Sequence, residues 1–309
     1  MIGFRSNGKL LLTGEYLVLD GALALAVPTK QGQSLKIKSG HQRTLTWQSF
    51  DDNQMCWLEV AFELPTLRIL SETFMSDSPG AGNSLALKLQ EVLQIAQREN
   101  PEFLRTDNGF EVRSFLEFPR DWGLGSSSTL VNNVAQWAKI NPFYLQFESF
   151  GGSAYDIACA LSDSPIHYQL LDKEPSYDKA NFDPSFKNQL FFVFLNQKQN
   201  SRDAIRNYRA INGVNQVLID RVSELTSLLT SAKSLIDFEK IIREHEALVS
   251  SVVGQDPIQQ TLFSDYFGQT KSLGAWGGDF ILATGNDDSP NYFNSKGYDT
   301  VIPYQDMAL

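Results

Sequence analysis

The stretch FPRDWGLGSSSTLVNNVAQWA (residues 118–138) constrains the fold more than any other part of this chain. A strand-like segment, GFEVRSFLEF, delivers the chain into it, and it leaves as an apolar-periodic run with Leu130, Val134 and Trp137/Ala138 at helical spacing. Gly123 and Gly125 lack a Cβ, so the backbone between them can turn tightly and approach a ligand closely. Ser126, Ser127, Ser128 and Thr129 fall where the helix begins, with orphan N–H groups and the positive dipole end facing outward. Such an end suits a polyphosphate, and a hydroxyl there can reach the metal that accompanies it. A helix merely capped by serines after a glycine turn has the same sequence, so this loop alone leaves both readings open. It matches neither G-x-x-x-x-G-K-S/T nor a strand-linked G-x-G-x-x-G, which sets aside the P-loop and the dinucleotide fold.

Three further features bear on the choice. In GGSAYDIACA, Asp156 follows a glycine turn and opens a helix; it is either a first-turn cap or a group that accepts the proton of an attacking hydroxyl. In SNGKLLLTGEY, Lys9 beside Gly8 is either a solvated strand-end lysine or a bridge between the leaving and attacking oxygens of a transferring phosphoryl group. GAWGGD (residues 274–279) would otherwise be only a tight turn.

A chain of 309 residues is too long for one small core and fits two domains. The spacing predicts strands in SLKIKSG and RTLTWQSF, a helix over residues 83–99, and a very apolar strand in LFFVFL. Beyond that strand come two amphipathic helices, one with Val214, Val217, Leu218, Val222, Leu225 and Leu229 on a face, the other with Phe238, Ile241, Ile242, Leu248 and Val252. Asp20-Gly21 reads as a hairpin turn. The polar, proline-bearing stretch from Asp172 to Asn188 reads as the linker. This is an α+β chain in two halves, divided as 1–186 and 187–309.

A formal net charge of −10 offers no basic field for nucleic acid or an anionic membrane, so a phosphate ligand needs local dipoles, a few cations and a metal. Cys56 and Cys159 stand far apart without C-x-x-C spacing, against a disulfide framework or a zinc site and in keeping with a reducing compartment. His245 in REHEALV has no second ligand at metal spacing and reads as a helix-surface or half-buried residue. No run approaches a membrane span and no long apolar leader opens the chain, so a cytoplasmic location is expected. Oligomeric state is not legible.

Taken together and in order, NGKLLLTGEYLVLDGALALAVP, PRDWGLGSSST and KSLGAWGGDFILA resemble the three motifs of the GHMP kinase superfamily, the second resembling its P-x-x-x-G-L-G-S-S-A phosphate loop. The resemblance covers nearly the whole chain. It implies an α+β two-domain GHMP kinase fold: an N-terminal ATP-binding domain like domain 2 of ribosomal protein S5, and a ferredoxin-like C-terminal domain. It implies that Gly123, Leu124, Gly125, Ser126, Ser127 and Ser128 line the phosphates of ATP, with Ser127 also reaching Mg²⁺. Asp156 and Lys9 match the catalytic pair, and Glu15, Ser153 and Gly277 fall at substrate-facing positions. Arg202, with Arg206 beside it, is placed to clamp a phosphorylated acceptor.

GEYLVL and GSAYDIACA are closer to phosphomevalonate kinase than to mevalonate kinase, which carries GEH and an Asp-Asn pair. The implied reaction is transfer of the γ-phosphoryl group of ATP to a mevalonate-class small molecule of isoprenoid biosynthesis, phosphomevalonate before mevalonate. A sugar kinase of the same superfamily and a catalytically silent nucleotide-binding module are the competing readings. Four departures stand out: Asp121 and Trp122 in the phosphate loop, Asn7 before Gly8, Trp276 and Asp279 within the third glycine run, and no second metal acid at the usual spacing. Glu148 is the nearest substitute for that acid.

Overall fold

Period-2 patterning in the first third of the chain produces strands with one buried face. In β3 (Thr44–Phe50), Leu45, Trp47 and Ser49 are buried while the residues between them are half-buried. The computed structural model describes residues 1–41, 43–75, 81–197, 201–210, 214–274, 276 and 278–309, with the backbone alone at 81–83 and 201–204. The chain forms two compact units, each assembled from separated stretches: residues 1–8, 31–120 and 124–161 in the first, residues 9–30, 121–123 and 162–309 in the second. Strands β1 (Ile2–Leu11) and β2 (Ala24–Gly40) each contribute residues to both.

In the first unit, β3 is followed by β4 (Cys56–Glu63), β5 (Arg68–Phe74), helix α1 (Ala81–Glu99) and β6 (Gly109–Leu116). The strand order is β5-β4-β3-β6-β2, with β1 on β2. β3 and β6 run parallel, joined through α1, and β4 and β2 pair antiparallel to them. Helices α2 (Ser126–Ala138), α3 (Pro142–Ser149) and α4 (Tyr155–Leu161) complete the unit. Its core joins Leu45, Trp47, Val60 and Phe62 of the sheet to Val92 and Leu93 of α1 and to Val131, Val134 and Ala135 of α2.

A buried polar network fixes α2 on that sheet. Thr129 Oγ1 donates to Gln33 Oε1 at 2.6 Å, and Asn133 Nδ2 donates to the Gln33 carbonyl at 3.0 Å. Ser6 Oγ donates to Asn133 Oδ1 at 2.8 Å, and Asn132 Nδ2 donates to Ser6 Oγ at 2.8 Å. Buried polar groups satisfied in this way fix one orientation of the helix, because any rotation would leave several of them unpaired.

In the second unit, a 3₁₀ turn (Leu17–Asp20) precedes the start of β2, whose residues Ala24–Ala26 pair with β7 (Ile166–Leu171), itself paired with β8 (Glu174–Lys179). Then come β9 (Leu190–Phe194), α5 (Ser201–Arg209), α6 (Gln216–Ser231), α7 (Leu235–Val253), β10 (Thr270–Ser272), β11 (Phe280–Thr284) and β12 (Val301–Pro303). The second sheet has the order β10-β11-β9-β12, antiparallel throughout. β9 and β11 are buried at every residue, as expected for central strands covered on both faces. Asn215 and Ser234 cap α6 and α7 through their side chains, and Gly254 ends α7 in the left-handed conformation.

Three expectations are corrected. The stretch from Asp172 to Asn188 is no plain linker: Asp172 and Lys173 both take positive φ, 52° and 66°, and turn the chain into the hairpin strand β8. Its polar composition reflects an exposed strand at the end of the pairing order. Asp20-Gly21 closes the 3₁₀ turn, with Gly21 at φ 94°, instead of a two-residue hairpin. His245 is wholly buried, with its Nε2 accepting the Gly14 N–H.

Candidate functional site

Helix α2 begins at Gly125, whose φ of 92° requires glycine and which supplies no side-chain cap. Of the serines that follow, Ser126 is half-buried and Ser127 exposed, while Ser128 is buried and donates to the Gly125 carbonyl at 2.9 Å. Ser128 therefore closes the first turn, and Ser127 is the exposed serine of the three. An uncapped helix start with free N–H groups and an outward hydroxyl fits a phosphate and its metal. Leu124 is buried. Arg120, ahead of the glycines, lays its guanidinium 3.8 Å over the Trp57 ring.

Asp156 lies in the first turn of α4, half-buried, its Oδ1 accepting the Ile157 N–H at 3.1 Å. Ser153 is buried just before it. α4 packs against α2, where Asn132 Nδ2 donates to the Ala160 carbonyl at 3.4 Å. The same unit carries Glu148, exposed on α3.

In the second unit, Lys9 Nζ donates to the carbonyl oxygen of Gly123 at 2.7 Å. Gly123 has φ 66°, and a Cβ added to it would stand 2.4 Å from Asp279 Cγ. Positive φ and the neighbouring Asp279 carboxylate both favour glycine there. Asp279 itself sits at φ 52°, its N–H donating to the Gln197 carbonyl at 2.6 Å and its carbonyl accepting the Leu195 N–H at 2.8 Å. The indole of Trp122 packs edge-on against Phe280 at 5.3 Å and against Phe194 at 6.3 Å, which roots residues 121–123 in this unit. Trp276 is 2% exposed, in a core with Tyr16, Leu17, Tyr208 and Val249. Neither indole is a loose ring at the loop surface.

Glu15 is also buried. Its Oε1 accepts from Lys271 Nζ on β10, and its Oε2 lies 3.5 Å from His245 Nε2 on α7. Lys271 Nζ is 3.6 Å from Glu246 Oε1, whose other oxygen accepts from Ser272 Oγ at 3.0 Å. His245 Nε2 accepts the Gly14 N–H at 3.1 Å. Burial pushes the Glu15 carboxyl up to about 7, against the pull of Lys271, and raises Glu246 as well. Burial and Lys271 hold His245 well below its ordinary value, so it is neutral.

Sequence reasoning missed three of these four groups. A signal was present for two: Phe238, Ile242, His245, Val249 and Val252 share one helical face, and Glu246 lies beside it. Lys271 had none.

Gly277 lies outside the described residues, as does the side chain of Arg202. Arg206 is exposed on α5, and that helix is tied down at its far end, where Tyr208 Oη donates to Asp20 Oδ2 at 2.5 Å and Arg209 Nη1 to Asp20 Oδ1 at 2.8 Å. A cavity of about 410 Å³ in this unit is lined by Gln197, Asp256, Ile258, Leu262, Ser272 and Trp276. No helix among the described residues is long and apolar enough to cross a membrane, and those residues hold no cluster of three or more metal-ligating side chains.

Neither a family model nor a curated protein matches this sequence. Solved structures do. The chain is similar to Methanococcus jannaschii mevalonate kinase at 14% identity and a TM-score of 0.71, covering 97% of this chain and 96% of that one. It is similar to Streptococcus pneumoniae phosphomevalonate kinase in complex with phosphomevalonate and AMPPNP at 17% identity and a TM-score of 0.66, over 96% of each chain. Lactococcus lactis galactokinase complexed with galactose matches at 12% identity and a TM-score of 0.63, over 95% of this chain and 88% of that one. These neighbours are GHMP kinases, and the mixed α+β fold of this chain is the two-domain fold they share.

Proposed function

We propose that this chain is an ATP- and Mg²⁺-dependent kinase that transfers the γ-phosphoryl group to a mevalonate-class acceptor, with phosphomevalonate preferred to mevalonate. The observation that carries the reading is the bond from Lys9 to the carbonyl of Gly123, at the loop that leads into the uncapped start of α2. An ammonium held at the phosphate loop faces charge that builds on the transferring group, and catalysis of this class is positioning plus electrostatics. Support for the acceptor comes from the phosphomevalonate and AMPPNP of the Streptococcus pneumoniae structure.

In this reading Gly123 to Ser128 hold the phosphates, and Ser127, with Glu148, holds the metal. When bound, Mg²⁺ would neutralise charge on the phosphate oxygens, which Asp121 and Asp279 make the more necessary by adding negative charge near the loop. Asp156 orients the acceptor hydroxyl and takes its proton; Ser153, Gly277 and Arg202 contribute to the acceptor side. Glu15 acts through Lys271. The ATP-binding part corresponds to residues 1–186 and the ferredoxin-like part to 187–309, in a cytoplasmic enzyme without nucleic-acid or membrane partners.

The test is ADP release by the purified chain with Mg-ATP and, in turn, phosphomevalonate, mevalonate and galactose. Turnover with phosphomevalonate above the others supports the reading. Turnover with mevalonate or galactose alone keeps the kinase and replaces the acceptor. The Asp279 carboxylate against Gly123 favours a second reading, a silent nucleotide-binding module, which would bind ATP and release no ADP with any acceptor.

A further inference from the structure

The groups that sequence reasoning missed stand on a path back to the phosphate loop. Lys9 begins β1's contribution to the second unit, and Glu15 follows it within the same N-terminal stretch. Glu15 bonds Lys271 on β10, and Lys271 pairs across the sheet with Leu282 on β11. β11 begins at Phe280, directly after Asp279, which is pinned to Leu195 and Gln197 at the end of β9. Asp279 in turn presses on Gly123, whose carbonyl holds Lys9. The contacts close a circuit within one unit, and each of the three glycine-rich motifs supplies part of it.

We infer that Lys271, held between Glu15 and Glu246, is a positioning residue that sets where Asp279 and Lys9 meet Gly123. Hydrophobic packing alone would leave this joint soft, since aliphatic side chains tolerate small shifts that a buried ion pair does not. Burying a lysine with two carboxylates is costly and stabilises little compared with a well-packed apolar replacement. What such a cluster does supply is a single geometry, because every displacement of β10 uncovers charge. The inference rests on the kinase reading for its kinetic consequence, but its geometric content does not.

The cluster also holds an ionisation that reports on it. Facing Glu15 are Lys271 from β10, His245 and Glu246 from α7, and Tyr16 from its own turn. With His245 neutral, one ammonium faces two carboxyls, and low polarity favours keeping a proton on one of them. Glu15 Oε2 and Glu246 Oε1 have no hydrogen-bond donor among the described residues. Glu15 is thus the group whose charge changes near neutral pH, and the strength of its hold on Lys271 changes with it.

Two measurements on the full chain test this. In ligand-free protein labelled with ¹⁵N-glycine, the Gly123 amide resonance should move with pH through neutrality in the wild type and stay fixed in Glu15→Gln. In steady-state kinetics, Glu15→Gln should lower kcat about tenfold or more, leave KM for ATP within about twofold, and remove the limb of the kcat–pH profile near neutrality. Glu246→Gln, which keeps an acceptor for Ser272, should act in the same direction but less, and serves if Glu15→Gln does not fold. A Gly123 resonance indifferent to the substitution overturns the inference, whether or not the wild type is a kinase. So does a Glu15→Gln enzyme that loses melting temperature but keeps the wild-type kcat and its pH profile. A wild type that turns over no acceptor removes the kinase reading while the resonance test still decides the positioning claim.

Discussion

Lys9 Nζ sits 2.7 Å from the carbonyl oxygen of Gly123, a residue where positive φ and the Asp279 carboxylate beside it disfavour a side chain. The lysine belongs to the first glycine motif, Gly123 to the second and Asp279 to the third. Residues separated by more than a hundred positions are thereby brought to one backbone turn, and in the proposed kinase the ammonium would face the transferring phosphoryl group. Lys9→Met should lower kcat about 10²-fold, the typical cost of losing one preorganised electrostatic contact, with a smaller effect on nucleotide affinity. Steady-state kinetics beside calorimetric ADP binding separates the two. Equal losses in kcat and affinity would make Lys9 a binding residue only.

Asp156 tests the proton side of the same chemistry. It lies in the first turn of α4, which packs on α2, the helix that starts with Ser126, Ser127 and Ser128. Asp156→Asn keeps the shape and the bond to the Ile157 N–H but removes the proposed base. The expected outcome is a fall in kcat of about 10²–10⁴-fold with ADP affinity within about twofold, measured on the same preparation.

Gly123 is a purely steric prediction. Alanine there meets an unfavourable positive φ, worth about 1–2 kcal/mol, and a contact of 2.4 Å with Asp279. Gly123→Ala should lower the urea midpoint, and adding Asp279→Gly should recover the part owed to the contact while leaving the part owed to φ. No recovery in the double variant would mean that the two residues are not pressed together.

Stability should depend on pH through Glu15. Burial raises its carboxyl from 4.5 to about 7 in the folded chain. Between those values the folded chain holds a proton that the unfolded chain has released, so stability falls as pH rises through that window and levels off above it. Glu246, also raised, adds in the same sense. Melting temperatures of wild type and Glu15→Gln should lie nearest at the lower end of the window and separate towards its upper end, where the wild type has lost stability and the variant, which cannot ionise, has not; parallel curves would place the titration elsewhere.

Much of this site is legible in the sequence because local chemistry demands it. Gly123 and Gly125 mark positive φ, the serines mark a helix start, and Lys9 and Asp156 stand beside glycine turns. The distribution of work among the serines is not legible, since only the folded helix shows Ser128 turned inward and Ser127 outward. The buried cluster is hidden for a different reason. Glu15 and Lys271 are 256 residues apart, and polarity patterns assign such residues to the surface unless their partners are known. His245 and Glu246 lie on or beside the apolar face of α7, a pattern that is readable once a buried histidine is allowed. The strand β8 escaped because exposed edge strands are polar on both faces and share their composition with linkers.

The most direct measurement is ³¹P NMR of the purified chain with Mg-ATP and phosphomevalonate. The γ-phosphate resonance should be lost as ADP and a phosphorylated acceptor appear in equal amounts. ATP that stays intact, or is hydrolysed to inorganic phosphate at the same rate with and without acceptor, would contradict it.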